Sequence, residues 1–199
     1  MATQMIQNHT YIDGNQIAFY EQGSGSAVIL IHGIPTNSLM WRNIIPQLAK
    51  THRVIAPDLL NYGESAKPEN ADVSINAQSH MLAKFMDSIG ERNADIVGHD
   101  IGGGIAQLLA VNYPEKVSKL VLMDSICFDS WPIPEFEPLQ ESGAESEMSL
   151  NDFLDMMRGF LPKGVNDKSV MTEELIDQYL KPWSSETGKK AFFRNLRKV

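Results

Sequence analysis

The sequence predicts an α/β fold, with a mostly parallel sheet, flanking helices and a helical layer after it. Three observations carry this. AVILIHG at 27–33 is a continuous apolar run closed by glycine, as in strands buried on both faces of a sheet. Strand-like and helix-like segments alternate from there to about residue 130, the pattern of parallel strands joined by right-handed crossovers. Beyond that point no strand pattern returns.

Each element has its own local reason. TYIDGNQIAFYEQG reads as a hairpin turning at Asp13-Gly14-Asn15, because Asp-Gly accepts the positive φ angles of a tight turn. Residues 39–50 look helical, and RVIAPD is a short strand. Ile75, Leu82, Phe85, Met86 and Ile89 stand at helical spacing within 74–89. ADIVGHD is a strand, followed by a helix from Gly104 to Tyr113 that Pro114 ends. KLVLMDS is the sixth strand. WPIPEFEPLQESGAESEMS is rich in proline, glutamate and serine and reads as an exposed connection. Amphipathic helices follow at Leu150–Phe160, at Glu173–Leu180 and near Lys189–Val199. The expected division is a core over 1–130 and a helical cap region over 131–199.

Bulk properties narrow the function classes. A chain of 199 residues with 43% hydrophobic and 21% charged residues can bury a real core. A net charge of −8 disfavours nucleic acid and anionic membranes as partners. No window is apolar enough for a membrane span, and the N-terminal stretch lacks a signal-peptide pattern. The single cysteine, Cys127, excludes an internal disulfide and reads as a small buried residue. Together these fit a soluble cytoplasmic protein acting on a small-molecule substrate, with oligomeric state unmarked. No metal-ligand spacing or cofactor motif appears. The Gly102-Gly103-Gly104 run does not complete a dinucleotide fingerprint, because Gln107 stands where its third glycine belongs.

Two segments carry the chemistry. VGHDIGGG at 97–104 places Asp100 in a strand-to-helix turn, where many hydrolases have the serine of G-x-S-x-G. Such a turn forces strand and helix backbones together, so the residues two before and two after must be small. Gly98 and Gly102 stand there. Taken alone, Asp100 is either a nucleophile or a cap for the following helix. A helix N-terminus favours an anion, so Asp100 is expected to stay ionised near neutral pH. The second segment, His32-Gly33-Ile34-Pro35, closes an earlier strand. Its Ile34 amide and the Ile101 amide have the places of oxyanion-hole donors.

These segments, with PDLLNYGESAKP at 57–68, resemble the α/β-hydrolase superfamily from about residue 10 to the end of the chain. They look like its aspartate-nucleophile branch, which includes haloalkane dehalogenases, epoxide hydrolases and fluoroacetate dehalogenases. The resemblance implies attack by Asp100 on an electrophilic carbon, giving an alkyl-enzyme ester. Water activated by a histidine then hydrolyses that ester, with Ile34 and Ile101 holding the oxyanion. An acid orients the histidine. Asp124 stands after the sixth strand, where some haloalkane dehalogenases carry that acid; a loop or capping role is the other reading.

The pattern also departs from the family. Its catalytic histidine follows the eighth strand, yet His9, His32, His52, His80 and His99 all precede Asp100. His32 is expected to fix the oxyanion loop, and His99 to point away from the cleft. The chain is therefore expected to be an N-terminal piece lacking two strands, the last helix and the base, with an apolar sheet edge left open. Ile101 and Ile34 replace the tryptophan and asparagine with which haloalkane dehalogenases commonly hold a halide, and Ile101 the arginine of fluoroacetate dehalogenases. Tyr179, Trp131 and Trp183 are the aromatic candidates for contacting substrate from the cap, with helix packing as the alternative for each. The leading reading is a haloalkane dehalogenase-like hydrolase for a small, mostly apolar electrophile. The alternatives are an epoxide hydrolase-like enzyme or a ligand-binding fragment without turnover. A serine esterase is disfavoured, since Ser65 lies in a loop after a different strand.

Overall fold

The computed structural model describes residues 6–199. The first five residues of the stretch read for a signal peptide lie outside it. Six strands form one sheet: β1 (Ile6–Ile12), β2 (Asn15–Gln22), β3 (Ala27–Ile31), β4 (Arg53–Pro57), β5 (Ala94–His99) and β6 (Val117–Met123). The order is β1-β2-β4-β3-β5-β6, with the β1–β2 and β2–β4 pairs antiparallel and the β4–β3, β3–β5 and β5–β6 pairs parallel. Asp13 and Gly14 turn the hairpin with φ of 50° and 81°.

Strand alternation sorts the core onto two faces. Ile29, Ile31 and Ile55 face one side, where α2 (Ile75–Ser88) and α3 (Ile101–Asn112) pack. Val28, Leu30, Val54 and Ala56 face the other, covered by Trp41 and Ile45. The helix expected over 39–50 is two short pieces, a 3-10 turn at Ser38–Trp41 and α1 at Ile45–Leu48. Asn37 caps the first piece through its side chain, and Pro46 opens the second. Helix α3 starts three residues before the expected Gly104. Its first turn contains three glycines, which weaken a helix locally but allow close approach to the sheet.

The segment after residue 130 is less open than its composition suggests. It holds two single-turn helices, α4 (Glu137–Gln140) and α5 (Ala144–Glu147), and buries Phe136 and Leu139. Helices α6 (Leu150–Phe160) and α7 (Glu173–Leu180) match their expected bounds. Ser149 and Thr172 begin them by accepting hydrogen bonds from Asp152 and Leu175 amides. Helix α8 (Glu186–Leu196) begins three residues earlier than Lys189, where Ser185 caps it. Phe153, Phe192, Phe193 and Trp183 interlock, with ring centroids 5.1–6.0 Å apart, and join this layer to the main core.

Cys127 is exposed, which corrects its reading as a buried residue. It sits in the loop leaving β6, beside the fully exposed Phe128. Among the described residues β6 pairs on one side only, with β5. Its Leu120, Val121, Leu122 and Met123 are 38–49% exposed. Unpaired apolar strand edges template association with other chains. Val121→Lys is therefore expected to reduce self-association, as seen by light scattering against protein concentration. Stability should stay within about 0.5 kcal/mol of the original, as for an exposed substitution. Unchanged association would show that this edge is not the sticky surface.

Candidate active site

The site is built where β5 runs into α3. Asp100 occupies the junction with φ 57° and ψ −124°. A non-glycine residue in that region costs about 1–3 kcal/mol and persists only when its surroundings enforce it. Here they do. The Asp100 amide donates to the Met123 carbonyl (3.2 Å), and the Asp100 carbonyl accepts from the Gly103 and Ile126 amides (3.0 and 3.2 Å). A Cβ on Gly98 would lie 2.4 Å from the Gly102 carbonyl oxygen, and one on Gly102 would lie 2.4 Å from that of His32. A Cβ on Gly33 would meet the Asp100 side chain at 2.5 Å. The small residues at these positions are thus required by contact, not by helix formation.

The Asp100 carboxyl does not cap α3 through its side chain. Instead the Ile34 amide donates to Asp100 Oδ1 at 2.9 Å. The Ile101 amide also favours the charged carboxylate. Both amides singled out in the sequence therefore act on the aspartate itself. Burial opposes them and is the larger effect, so the carboxyl titrates above the ordinary aspartate range. The carboxyl is thus harder to ionise than an ordinary aspartate, while the Ile101 amide at the start of α3 acts toward the charged form.

The Ile34 loop is fixed from below and above. His32 is fully buried, with Nδ1 3.0 Å from the Gly33 carbonyl and Nε2 3.0 Å from the Leu59 amide. One tautomer satisfies both: Nδ1–H donates and Nε2 accepts. Burial lowers the His32 pKa, in keeping with that neutral ring. From above, Trp183 Nε1 donates to the Pro35 carbonyl at 3.1 Å. Asp58 is 2% exposed and accepts from the Ser38 amide, the Ser38 hydroxyl and the Glu64 amide. It ties the loop after β4 to the start of the helical turn at Ser38.

The other sequence candidates are placed as follows. Asp124 follows β6, exposed and with φ 41°, one residue beyond the Met123 carbonyl that holds the Asp100 amide. Tyr179 is buried, and its hydroxyl accepts from Arg42 at 3.1 Å. Trp183 uses its indole N–H on Pro35, as above. Trp131 lines a cavity of about 370 Å³ with Gly104, Gln107, Ile126 and Val199, next to α3. Its buried Nε1 has no hydrogen-bond partner. His99 lies on the strand face of Val97, and its buried Nδ1 is also without a partner. Among the described residues no group of three or more His, Cys, Asp or Glu side chains is gathered for a metal ion.

Sequence reading passed over three residues. Tyr62 is 1% exposed, edge-on to His32 and Trp183 with centroids 5.1 and 5.7 Å away. Its pKa is pushed well up, first by burial and then by the Asp100 charge, while Asn195 acts in the opposite direction. Asn61 and Asn195 are buried and bonded to each other. The available signal was Asn61 itself: in NYGE an asparagine tolerates positive φ, and Asn61 has φ 73°.

The raised Asp100 pKa has a consequence for stability. As pH rises, the unfolded chain loses this proton first, so the native state is progressively disfavoured between the two values. Asp100→Asn removes that cost and retains an acceptor for Ile34. Its thermal unfolding midpoint is expected to exceed the wild-type value at pH 7. The advantage should shrink as pH falls toward about 3.9, the ordinary aspartate value. A wild type at least as stable as the variant at pH 7 would contradict this.

Comparison with known proteins agrees with this architecture. The α/β hydrolase fold family matches residues 26–187. A 2-hydroxymuconate semialdehyde hydrolase from Pseudomonas sp. (strain CF600) is 33% identical over 82% of this chain and 56% of its own length. A haloalkane dehalogenase from Mesorhizobium japonicum is 31% identical over all of this chain and 66% of its own length. The chain thus spans about half to two thirds of these curated relatives. An α/β hydrolase fold protein from Burkholderia ambifaria superposes with a TM-score of 0.89 at 26% identity, covering 98% of this chain and 72% of that one. No helix among the described residues is long and apolar enough to cross a membrane. The chain belongs to the α/β hydrolase fold family.

Proposed function

We propose that Asp100 is the nucleophile of a hydrolase for small, mostly apolar electrophiles, as in a haloalkane dehalogenase or an epoxide hydrolase. The observation that carries this is the Asp100 carboxylate at the strained junction, with one oxygen held by the Ile34 amide at 2.9 Å. The other oxygen, Oδ2, attacks carbon. The new C–O bond forms as the carbon–halogen or ring C–O bond breaks; a halide departs with the electron pair, whereas a ring oxygen stays attached as an alkoxide and takes a proton from water. Ile34 and Ile101, buried at 8% and 2% exposure, make the surroundings apolar. The helices after residue 130 serve as the cap over this chemistry.

Turnover requires a second step. Water attacks the ester carbonyl carbon, and negative charge grows on Oδ1, which the Ile34 amide holds, with the Ile101 amide also acting on the carboxyl. That water needs a base. His32 has both ring nitrogens engaged, and His80 binds the Tyr113 hydroxyl at 2.7 Å between α2 and α3. In this proposal neither of these histidines serves as that base, and Asp124 is the acid available to orient one. The chain by itself then forms the ester and hydrolyses it slowly.

Incubation with butyl bromide or styrene oxide, followed by peptide mass spectrometry, tests this. One alkyl group is expected on the Asp100 peptide, with turnover at the background rate and no adduct in Asp100→Ala. An unmodified Asp100 with saturable binding of the same compounds would favour a ligand-binding protein. Rapid multiple turnover would show that a base is present within this chain.

A further inference from the structure

Helix α6 carries a glycine that nothing within the chain explains. Gly159 stands near its end, exposed and with helical backbone. Glycine is the weakest helix former after proline, so a helix gains from one only where a side chain has no room. That reason holds for the other α-helical glycines among the described residues. A Cβ on Gly102, Gly103, Gly104 or Gly188 would meet another atom at 2.2–2.8 Å. A Cβ on Gly159 would meet nothing within 4 Å. Nor does Gly159 adopt a positive φ.

The missing side chain opens a groove of about 360 Å³ between α4 and α6. Phe136, Leu139, Met156, Met157 and Phe160 give it an apolar lining. Its charged groups are Glu135, Asp155 and Lys163. All three are exposed, and none joins an ion pair among the described residues. Arg158, by contrast, is held by Glu173 and Asp177 of α7.

The charges along α6 run in a self-complementary order. Asp155 lies four residues before Gly159, and Lys163 four residues after it in the 3-10 turn that continues the helix. Each is roughly 6–8 Å along the axis from Gly159. A second α6, laid antiparallel with the two-fold axis at Gly159, brings each Asp155 opposite the Lys163 of the other copy. The two glycines meet at the crossing, where absent side chains let the backbones approach. Met156 and Phe160, half-buried in one copy, flank that crossing. A uniformly cationic partner would meet Lys163, and a uniformly acidic one would meet Asp155 and Glu135. A partner with the reverse charge order satisfies both ends, and a two-fold copy has that order by symmetry.

We infer that the groove between α4 and α6 is a docking surface for a second copy of this chain, paired antiparallel through α6 about Gly159. One helix crossing is small beside a standard interface of about 1,600 Å², so this dimer is weak and forms with rising concentration. The opposite face of α6 keeps Phe153 packed on Phe192 and Phe193, so pairing leaves the helical layer intact. The inference does not depend on the reaction of Asp100.

Sedimentation velocity across a range of protein concentrations tests it. Every protein compared carries Val121→Lys, which takes the β6 edge out of the readout. That parent is expected to show a monomer–dimer equilibrium. Asp155→Lys and Lys163→Asp should each weaken dimerisation at least about tenfold, because like charges then face each other. The double exchange should restore it to within about threefold, as for a directly coupled pair. Gly159→Leu should abolish dimerisation while raising the thermal unfolding midpoint, since a better helix former enters open space. A monomer at every concentration would overturn the proposal. So would a dimer indifferent to Gly159→Leu, or a double exchange that fails to restore what the single exchanges remove.

Discussion

The hydrogen bond from the Ile34 amide to Asp100 Oδ1 joins the two loops that the rest of the site is built to place. One loop ends β3 and the other ends β5, adjacent parallel strands, so sheet register brings them side by side. The contact is possible only because Gly33, Gly98 and Gly102 let three backbones approach. It matters because Asp100 is held at a positive φ and largely removed from water. Without a donor, a buried carboxylate would simply take up a proton. With it, burial and hydrogen bonding oppose one another, and the carboxyl keeps a raised but accessible pKa.

The helical layer contributes by holding the partner loop. Trp183 bonds Pro35, Tyr62 packs between Trp183 and His32, and Asn195 reaches Asn61. The aromatic cluster of α6 and α8 anchors these contacts from behind. Side chains that the sequence offered as substrate contacts are here used for packing and support in two cases. Tyr179 is bonded to Arg42, and Trp183 to the loop that carries Ile34.

How much was legible depends on the range of the cause. Continuous apolar runs and the Asp-Gly turn located all the strands, because those signals are local. Helices α6 and α7 were legible to the residue, since Ser149 and Thr172 cap them within one turn. Helix α3 was read late because glycine propensity is local, while the need for Gly102 comes from His32, seventy residues away. The loop after β6 misled in another way: composition set it outside, yet Phe136 and Leu139 are core. The closeness of the Ile34 and Ile101 amides to Asp100 was legible through paired motifs. Asn61 and Asn195 were not, because two asparagines 134 positions apart carry no spacing signal.

The central claim is that Asp100 reacts as a carboxylate whose ionisation is hindered by burial and rescued by two amides. The pH dependence of its alkylation by butyl bromide measures this directly. The account predicts a single adduct on Asp100, with a rate that rises with pH through one ionisation centred above the ordinary aspartate value of about 3.9. A midpoint at or below that value, or a rate set by another residue, would contradict it.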